Sequence, residues 1–295
     1  MKRMSRLRGV ALLLVMWAMF IMSFSILGLM GLLNVNIGTA SAMERVAMAS
    51  SLAFAGNTMG RHADFPANGR AERQKFQDGG QLEVIVVSEN SRLNVNRLLS
   101  RGDRDTLRAL FRLWGLNDVE ADTVLDCLFD YVEPGTARRL NGAKVEQYRR
   151  AGRPAPPGRP FRSVEEMNSV LNFDLVARRR DNWRDYFTIY GDGTLDITTA
   201  PPDLIRAVCR VGDAGARGVA RSWENGGQGL KDMGAARLAL GLTEKEFGEL
   251  QGRISLGAKV RRVRSTGTFA QARRTIEAIY QMDSEKTSIL EWRQW

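Results

Sequence analysis

The hydrophobic pattern of the chain is dominated by one long apolar stretch close to the start of the sequence. Residues 10–33 read VALLLVMWAMFIMSFSILGLMGLL without a charged side chain, whereas Lys2, Arg3, Arg6 and Arg8 precede them. As a helix rising about 1.5 Å per residue, this stretch can cross a hydrocarbon core of about 30 Å with some tilt. Because basic residues favour the cytoplasmic side, the pattern predicts a single membrane-spanning helix with the body of the chain on the opposite side.

Beyond Leu33 the apolar residues recur at near-helical spacing, which extends the predicted helix to about Met59. Gly56 and Gly60 are expected to mark its end. A cleavable secretory signal is the alternative, because Ala40-Ser41-Ala42 fits the small-x-small cleavage pattern. The apolar stretch is, however, well beyond the roughly 7 to 15 residues of a signal peptide, which favours a retained anchor.

Two segments of the body alternate apolar and polar residues in the manner of β-hairpins. Residues 82–87 and 92–96 flank a Ser-Glu-Asn-Ser turn, and residues 186–190 and 194–198 flank Gly191-Asp192-Gly193. Both predicted hairpins lead into helical sequence, which suggests a weak internal repeat.

Helix signals fill the sequence between and after these segments. Asn117 can cap a helix, Ser163-Val164-Glu165-Glu166 has the form of a capping box, and Pro201-Pro202-Asp203 is typical of a helix start. Two further helical patterns surround Gly241, and strand-like stretches close the chain. Strands towards both ends with helices between them predict an α+β fold, with a large helical part inserted into an antiparallel sheet.

The charge and the single histidine narrow the functional classes. The net charge is +10, but four of these charges lie ahead of the apolar stretch, so the body is only mildly basic. His62 is the sole histidine, which excludes most hydrolase triads and histidine metal sites. No phosphate-binding loop or nucleophile-base spacing is present either, so the sequence predicts a protein that is not an enzyme.

Cys127 and Cys209 are the only cysteines, and each lies in an apolar run. Two cysteines are too few and too far apart for a zinc knuckle or a disulfide framework, and buried free thiols are expected. A disulfide between them remains possible in an oxidising compartment.

The residues around Gly9 resemble the type IV prepilin leader, which a prepilin peptidase cuts after a glycine. Gly9 then precedes the cleaved bond, and Val10 becomes the first mature residue. Most pilins carry glutamate as the fifth mature residue, where this chain has Leu14. That carboxylate pairs with the terminal amine of a neighbouring subunit, since an unpaired buried charge is very costly. A subunit with Leu14 cannot make that pairing with a subunit ahead of it.

Four further segments, in order along the chain, resemble protein K of the general (type II) secretion pathway, the family of the large minor pseudopilin. These segments are residues 91–96, 130–133, 160–167 and 195–201. The resemblance implies a pilin-like α/β head that carries an inserted helical domain. The implied parts are a leader at 1–9, a transmembrane and pilin helix at 10–59, a head from 60–96, 186–200 and 255–295, an inserted helical domain at 97–185 and a second helical segment at 201–254.

The same resemblance implies a role in secretion. Members are anchored once in the bacterial inner membrane with the body in the periplasm, and form a tip complex with the smaller minor pseudopilins I and J. There they start and cap the pseudopilus, which supports export of folded proteins across the outer membrane. The absent carboxylate at Leu14 agrees with a terminal position.

Relatives carry an acidic, calcium-binding loop after the position of Asp130, and this chain departs from that pattern. Residues 134–162 hold eight basic residues and a single acid, Glu146. Calcium takes six to eight oxygen ligands, so this loop cannot hold it in the family manner. The remaining candidate ligands for an ion are Asp122, Asp126, Asp130 and Glu133. Their helical spacing favours a solvated acidic face opposite the basic loop, with calcium as the alternative.

A DNA-binding membrane protein of a competence or pilus system is the alternative function. Residues 163–173 and 199–212 resemble helix-hairpin-helix pieces, which grip phosphates in other proteins, and Arg149-Arg150 and Arg178-Arg179-Arg180 add charge. The competing interpretation is that these hairpins are packing units whose arginines face solvent. On that interpretation no nucleic-acid partner is expected.

Overall fold

The computed structural model describes residues 4–62, 64–224, 230–257, 259–282 and 287–295, including all side chains in these ranges except those of 4–11, 31–38 and 222–224. Ten α-helices and nine strands lie within the described ranges. In chain order they are α1 (Met4–Gly60), β1 (Asn68–Lys75), β2 (Gln81–Ser88), β3 (Leu93–Asn94), α2 (Val95–Ser100), α3 (Arg104–Leu113), α4 (Asp118–Val132), α5 (Val145–Arg150), α6 (Asp174–Arg179), β4 (Phe187–Thr188), β5 (Leu195–Asp196), α7 (Pro202–Cys209), α8 (Asp213–Glu224), α9 (Met233–Leu240), α10 (Glu244–Gly248), β6 (Ile254–Ser255), β7 (Val260–Phe269), β8 (Ala272–Met282) and β9 (Thr287–Gln294).

Helix α1 is continuous through the apolar and amphipathic stretches, which confirms the helix predicted to about Met59. The side chains of Leu12–Met30 are exposed and contact no other part of the protein core. The later turns are different, because Ala49 and Ala53 are fully buried against the sheet. One helix therefore has a free apolar half and a packed half.

Of the two glycines predicted to mark the end of this helix, Gly60 is its last residue, whereas α1 continues through Gly56. A Cβ atom at Gly56 would lie 2.5 Å from Leu82 Cδ1 and 2.8 Å from Val84 Cγ2. Such distances are too short for carbon contacts, so glycine is required here for the close approach of α1 to the sheet.

The central sheet has five strands in the order β1-β2-β7-β8-β9, and all its pairings are antiparallel. β8 and β9 confirm the strand-like stretches predicted near the end of the chain. The predicted hairpin between residues 82–87 and 92–96 is wrong, because β2 pairs with β1 and β7 instead. Glu89–Ser91 form a buried 3-10 turn that leads the chain off the sheet.

The second predicted hairpin, between residues 186–190 and 194–198, is also wrong. β4 pairs in parallel with β3, and β5 pairs in parallel with β6. The loop between them folds against Asn90, whose side-chain amide donates to Asp192 Oδ1 at 2.9 Å and to the Thr194 carbonyl at 3.2 Å. The suspected internal repeat is limited to one shared feature: β3 and β5 each precede a helix, and each pairs in parallel with a later strand.

Several local helix signals are confirmed. Asn117 and Glu120 form a reciprocal capping box at the start of α4, with bonds of 2.9 and 3.0 Å. Pro202 is the first residue of α7, and Gly241 has a φ of 72° directly after α9. At Ser163 the cap exists, since its hydroxyl accepts the Glu166 N–H at 3.3 Å. The turn that follows is nevertheless a short 3-10 helix, because the chain is extended again at Val170.

The described residues form two separate hydrophobic cores. The smaller core, between α1 and the sheet, is formed by Leu82, Val84, Val86, Val263, Ala278 and Tyr280. The larger core belongs to the helical elements and spans both 97–185 and 201–254. Because side chains alternate along a strand, the neighbours of Val263 and Ala278 point to the other face, where they meet the helical elements.

Candidate functional site

The apolar half of α1 is the first candidate site. Leu12–Met30 is long and apolar enough to cross a membrane, and it is the one such segment in the described ranges. The hydroxyls of Ser23 and Ser25 donate to the carbonyls of Met19 and Ile21 at 2.8 and 2.9 Å, so these polar groups are satisfied within the helix. This matches the requirement that a segment in lipid pairs its own polar groups.

The residues of the predicted leader lie at the start of this helix. The backbone of Gly9 and Val10 is helical, while the side chain of Val10 lies outside the described residues. Leu14 lies one turn further along, with 65% of its surface exposed. An aliphatic side chain at this point is compatible with lipid, whereas a carboxylate would need a cationic partner.

The acidic residues of α4 form the second candidate site, which we call the α4 cluster. Its members are Asp126, Asp130, Glu133, Arg104, Arg139 and Lys144. Asp130 is fully buried and Asp126 is 6% exposed, so the expected solvated acidic face is wrong for these two residues. The expectation that this face meets the basic loop holds, because each of its carboxylates is bonded to that loop or to a neighbouring helix.

Each carboxylate of this helix is bonded to an arginine side chain. Arg139 bonds Asp130 at 2.9 Å and Glu133 at 2.7 Å, and its guanidinium lies 4.9 Å from the ring centre of Phe129. Arg104 bonds Asp126 at 2.8 Å. The fourth predicted ligand, Asp122, accepts a bond of 2.9 Å from Arg108 Nε. The hydrogen bond from Arg139 lowers the pKa of Glu133.

Lys144 lies at the C-terminal end of α4, where helix carbonyls have no partner within the helix. Its ammonium donates to the carbonyls of Asp130 and Glu133, both at 2.7 Å, and the residue is 6% exposed. A cation at this end of a helix is also favoured by the helix dipole. Among the described residues there is no group of three His, Cys, Asp or Glu side chains arranged to hold a metal ion.

Both cysteines are free thiols buried in the larger core. Cys127 Sγ lies 3.6 Å from the Asn141 carbonyl and 3.5 Å from Asn172 Nδ2. Burial raises the pKa of Cys127 to about 11 and that of Cys209 to about 12. Thiols of this kind are unreactive at neutral pH.

A second charged group, which is the third candidate site, joins the helical elements to the sheet, and sequence reasoning missed it. We call it the sheet cluster; its members are Glu89, Arg262, Arg264 and Glu277. Arg262 bonds Glu89 at 2.5 Å and Glu277 at 2.7 Å, while Arg264 Nε bonds Glu277 at 2.7 Å. Thr188 Oγ1 donates to Glu89, which is fully buried, at 2.5 Å. The sequence did contain a signal for this cluster: Arg262 and Arg264 flank Val263, and such alternation is typical of a strand with one charged face.

Burial and charge oppose each other at Glu277. Burial alone would raise the pKa of this carboxyl, but the charges and hydrogen bonds of Arg262 and Arg264 outweigh it, and the pKa is lowered. The carboxylate is therefore the stable form in the folded protein.

The arginines that suggested DNA binding lie against carboxylates of the same chain. Arg149 and Arg150 bond Glu146, and Arg179 lies 3.4 Å from Glu120. Arg180 lies 3.5 Å from Asp203. This pairing reduces the positive charge available to a phosphate backbone. The segment 199–212 serves as a packing unit, since Leu204, Ile205 and Val208 are buried in the larger core.

The comparisons with known proteins agree on one family. Residues 91–180 match the family model described as type II secretion system (T2SS), protein K. The fold is similar to that of GspK in the crystal structure of the GspK-GspI-GspJ complex from the enterotoxigenic Escherichia coli type 2 secretion system, with a TM-score of 0.64 and 16% sequence identity. That similarity covers 89% of this chain and 98% of the other. No curated protein matches the chain. Residues 91–180 are therefore similar in sequence to protein K of the type II secretion system, and the chain as a whole is similar in fold to GspK.

Proposed function

We propose that this chain is a minor pseudopilin of the protein K family and that it stands at the tip of the type II secretion pseudopilus, where it starts and caps the filament. Its α1 helix anchors it in the bacterial inner membrane, and its body lies in the periplasm. Its role is structural, without catalysis, and supports export of folded proteins across the outer membrane.

Leu14 is the observation that carries this proposal. After cleavage by a prepilin peptidase between Gly9 and Val10, Leu14 is the fifth residue of the mature chain. It is an aliphatic side chain within Leu12–Met30, which holds no ionisable residue. A subunit with another subunit ahead of it needs a carboxylate here to pair with that neighbour's terminal amine. A subunit at the tip has no such neighbour.

The shape of the head supports the same position. α1 covers one face of the sheet, and the sheet cluster joins the helical elements to the other face. These elements bury a larger core than the sheet itself. Helical elements of this size beside the sheet are compatible with a terminal subunit, because no further head has to fit above it.

The partners follow by analogy with the solved complex of similar fold. That structure contains GspK together with GspI and GspJ. We propose that this chain binds the corresponding minor pseudopilins I and J, and that the three form the tip. A stable ternary complex on co-purification supports this, and a chain that purifies without either partner contradicts it.

The tip position can be tested by immunogold labelling of pseudopili carrying this chain, with Leu14→Glu and Leu14→Ile as matched variants. We expect label at one end of each filament for the native chain and for Leu14→Ile. Leu14→Glu should reduce tip label and secretion, because its carboxylate lacks an amine ahead of it. Label distributed along the filaments contradicts the proposal.

Processing at Gly9 is tested by mass. Gly9→Lys should leave a membrane-bound chain that retains residues 1–9, because a large charged side chain does not fit where the peptidase accepts glycine. Gly28→Ala is the control, since a Cβ at Gly28 has open space around it. An unchanged mature mass in Gly9→Lys contradicts cleavage at this bond.

A further inference from the structure

One end of the sheet lies towards the apolar half of α1. Gly80 lies against Leu52, since a Cβ there would be 3.1 Å from Leu52 Cδ1, and Gly267 lies against Ala49 and Ala53 in the same way. At the other end of the sheet, Val263 lies against Gly60. The turns that join β1 to β2 and β7 to β8 therefore lie at the end of the head nearest the membrane anchor.

This end carries basic and aromatic side chains, which we call the base patch. Its members are Arg45, Lys75, Phe76, Arg273, Arg274 and Trp295. Lys75 and Arg273 are exposed, Phe76 and Trp295 are 36% and 56% exposed, and Arg45 and Arg274 are half-buried. Trp295 belongs to this end because its backbone exchanges hydrogen bonds of 2.8 and 3.0 Å with Thr275, next to the β7–β8 turn.

The patch keeps a positive balance after its acidic neighbours are considered. Glu44 precedes Arg45, and Asp78 lies in the β1–β2 turn, where it accepts the Gly80 N–H at 2.9 Å. Glu83 is bonded to Arg73 at 2.6 Å, so that pair is neutral. The four basic members of the base patch therefore face two acidic side chains.

The length of α1 brings this patch close to a membrane surface. The rise from Leu33 to Ala49 is roughly 24 Å at about 1.5 Å per residue. The β7–β8 turn continues roughly 10 Å below Gly267 at about 3.3 Å per residue. About 14 Å then separates the turn from the hydrocarbon edge, and lipid headgroups fill roughly 5 to 7 Å of it. The remaining gap is within a Debye length of about 8 to 10 Å, and a helix tilt of about 20° narrows it further.

We propose that the base patch binds anionic lipid headgroups and holds the head of the unassembled subunit down on the membrane. Lysine and arginine supply the attraction to anionic headgroups, and Trp295 and Phe76 are side-chain types that favour the membrane interface. The proposal rests on the proposed function only in that α1 must span a membrane.

The test measures the distance from the β7–β8 turn to the membrane in the full chain. The chain with Gln271→Cys carries a donor dye and is reconstituted into vesicles that contain a lipid with a short-range acceptor on its headgroup, whose transfer distance is on the order of the gap between turn and headgroups. Cys127 and Cys209 are buried and do not compete for the dye. His62→Cys, at the far end of the sheet, is the matched labelling control.

Energy transfer from position 271 should be at least about twofold higher in phosphatidylglycerol vesicles than in phosphatidylcholine vesicles, and high salt should abolish the difference. The combined change Arg45→Gln, Lys75→Gln, Arg273→Gln and Arg274→Gln should also abolish it. The control change is Arg61→Gln, Arg149→Gln, Arg153→Gln and Lys245→Gln. These four residues are exposed elsewhere on the head, and Arg149 is paired with Glu146, so the difference between the two lipids should persist.

Equal transfer in both lipids, or a difference that survives high salt, overturns the proposal. The salt series uses native charges, so it decides the question even where the combined variant does not fold. A chain that fails to enter vesicles contradicts the membrane anchor instead, which separates failure of the proposed function from failure of this inference.

Discussion

The α4 cluster and the sheet cluster each contain a fully buried carboxylate. They differ in how far along the sequence the basic residues lie that bond to it. Asp130 is bonded by Arg139, nine residues later, and its carbonyl by Lys144, 14 residues later. Glu89 is bonded by Arg262, 173 residues later. The first cluster secures one helix end and its own loop. The second joins the helical elements to the sheet, so its loss affects the relation between two parts of the molecule.

The largest expected effect is that of Arg262→Met in the sheet cluster. The change leaves Glu89 buried without its main cation and removes one of the two partners of Glu277. Breaking a buried ion pair from one side costs about 3 to 5 kcal/mol. Urea unfolding of the detergent-solubilised chain should show a free energy of unfolding lower by that amount.

Arg264→Met is the matched control for this change. Arg264 is 55% exposed and bonds Glu277 alone among the members of the cluster. An ion pair with one exposed partner contributes up to about 1 kcal/mol. Equal decreases in the free energy of unfolding for the two variants would show that Arg262 does not have a special role in holding the helical elements on the sheet.

The next effect is that of Lys144→Met in the α4 cluster. The carbonyls of Asp130 and Glu133 then lose their shared donor, while the apolar stem of the side chain is kept. Hydrogen bonds to a charged group contribute about 1.5 to 3 kcal/mol, so we expect a loss of about 2 to 3 kcal/mol in the same unfolding measurement. Lys245→Met, on an exposed surface, should change nothing measurable. A Lys144→Met chain as stable as the native one would refute the role of this ammonium.

A smaller effect is expected on acidification. The pKa of Glu277 and the pKa of Glu133 are both lowered in the folded protein. Each carboxylate therefore adds stability that is fully present above its unfolded pKa of about 4.3 and is lost as pH falls through its folded pKa. We expect the larger loss for Glu277 and the smaller loss for the more exposed Glu133, whose interaction with Arg139 is screened by solvent. Melting temperatures between neutral pH and acid pH measure this loss.

Glu277→Gln separates this contribution from general acid unfolding. The variant should be less stable at neutral pH but should lose less stability on acidification than the native chain, because its side chain does not titrate. An identical pH profile for both chains would contradict the lowered pKa of Glu277.

The two clusters also explain what could be predicted from the sequence. The acids of α4 and the basic loop follow one another, so their encounter was predictable, as were the Asn117 cap and the start of α7 at Pro202. Burial of Asp130 was not, because helical spacing alone does not show which face meets the core. Residues 92–96 looked like a hairpin strand, but the partner of β3 is β4, far away in sequence. Such a pairing depends on tertiary packing, which local alternation does not record.

The smallest expected effect is that of calcium on the melting temperature, and it tests directly how the α4 cluster is held together. The oxygens at the end of α4 that an ion would need are bonded to Arg139 and Lys144, so calcium would have to displace two cations of the chain. Neither added calcium nor a chelator should therefore move the melting temperature of the native chain. The same titration on Lys144→Met tests the reason, because that variant frees two carbonyls beside Asp130 while Arg139 still holds the carboxylates. Stabilisation of the native chain by calcium would show that the ion competes successfully with the ammonium and guanidinium. Stabilisation of the variant alone would show that Lys144 is the group that keeps the ion out.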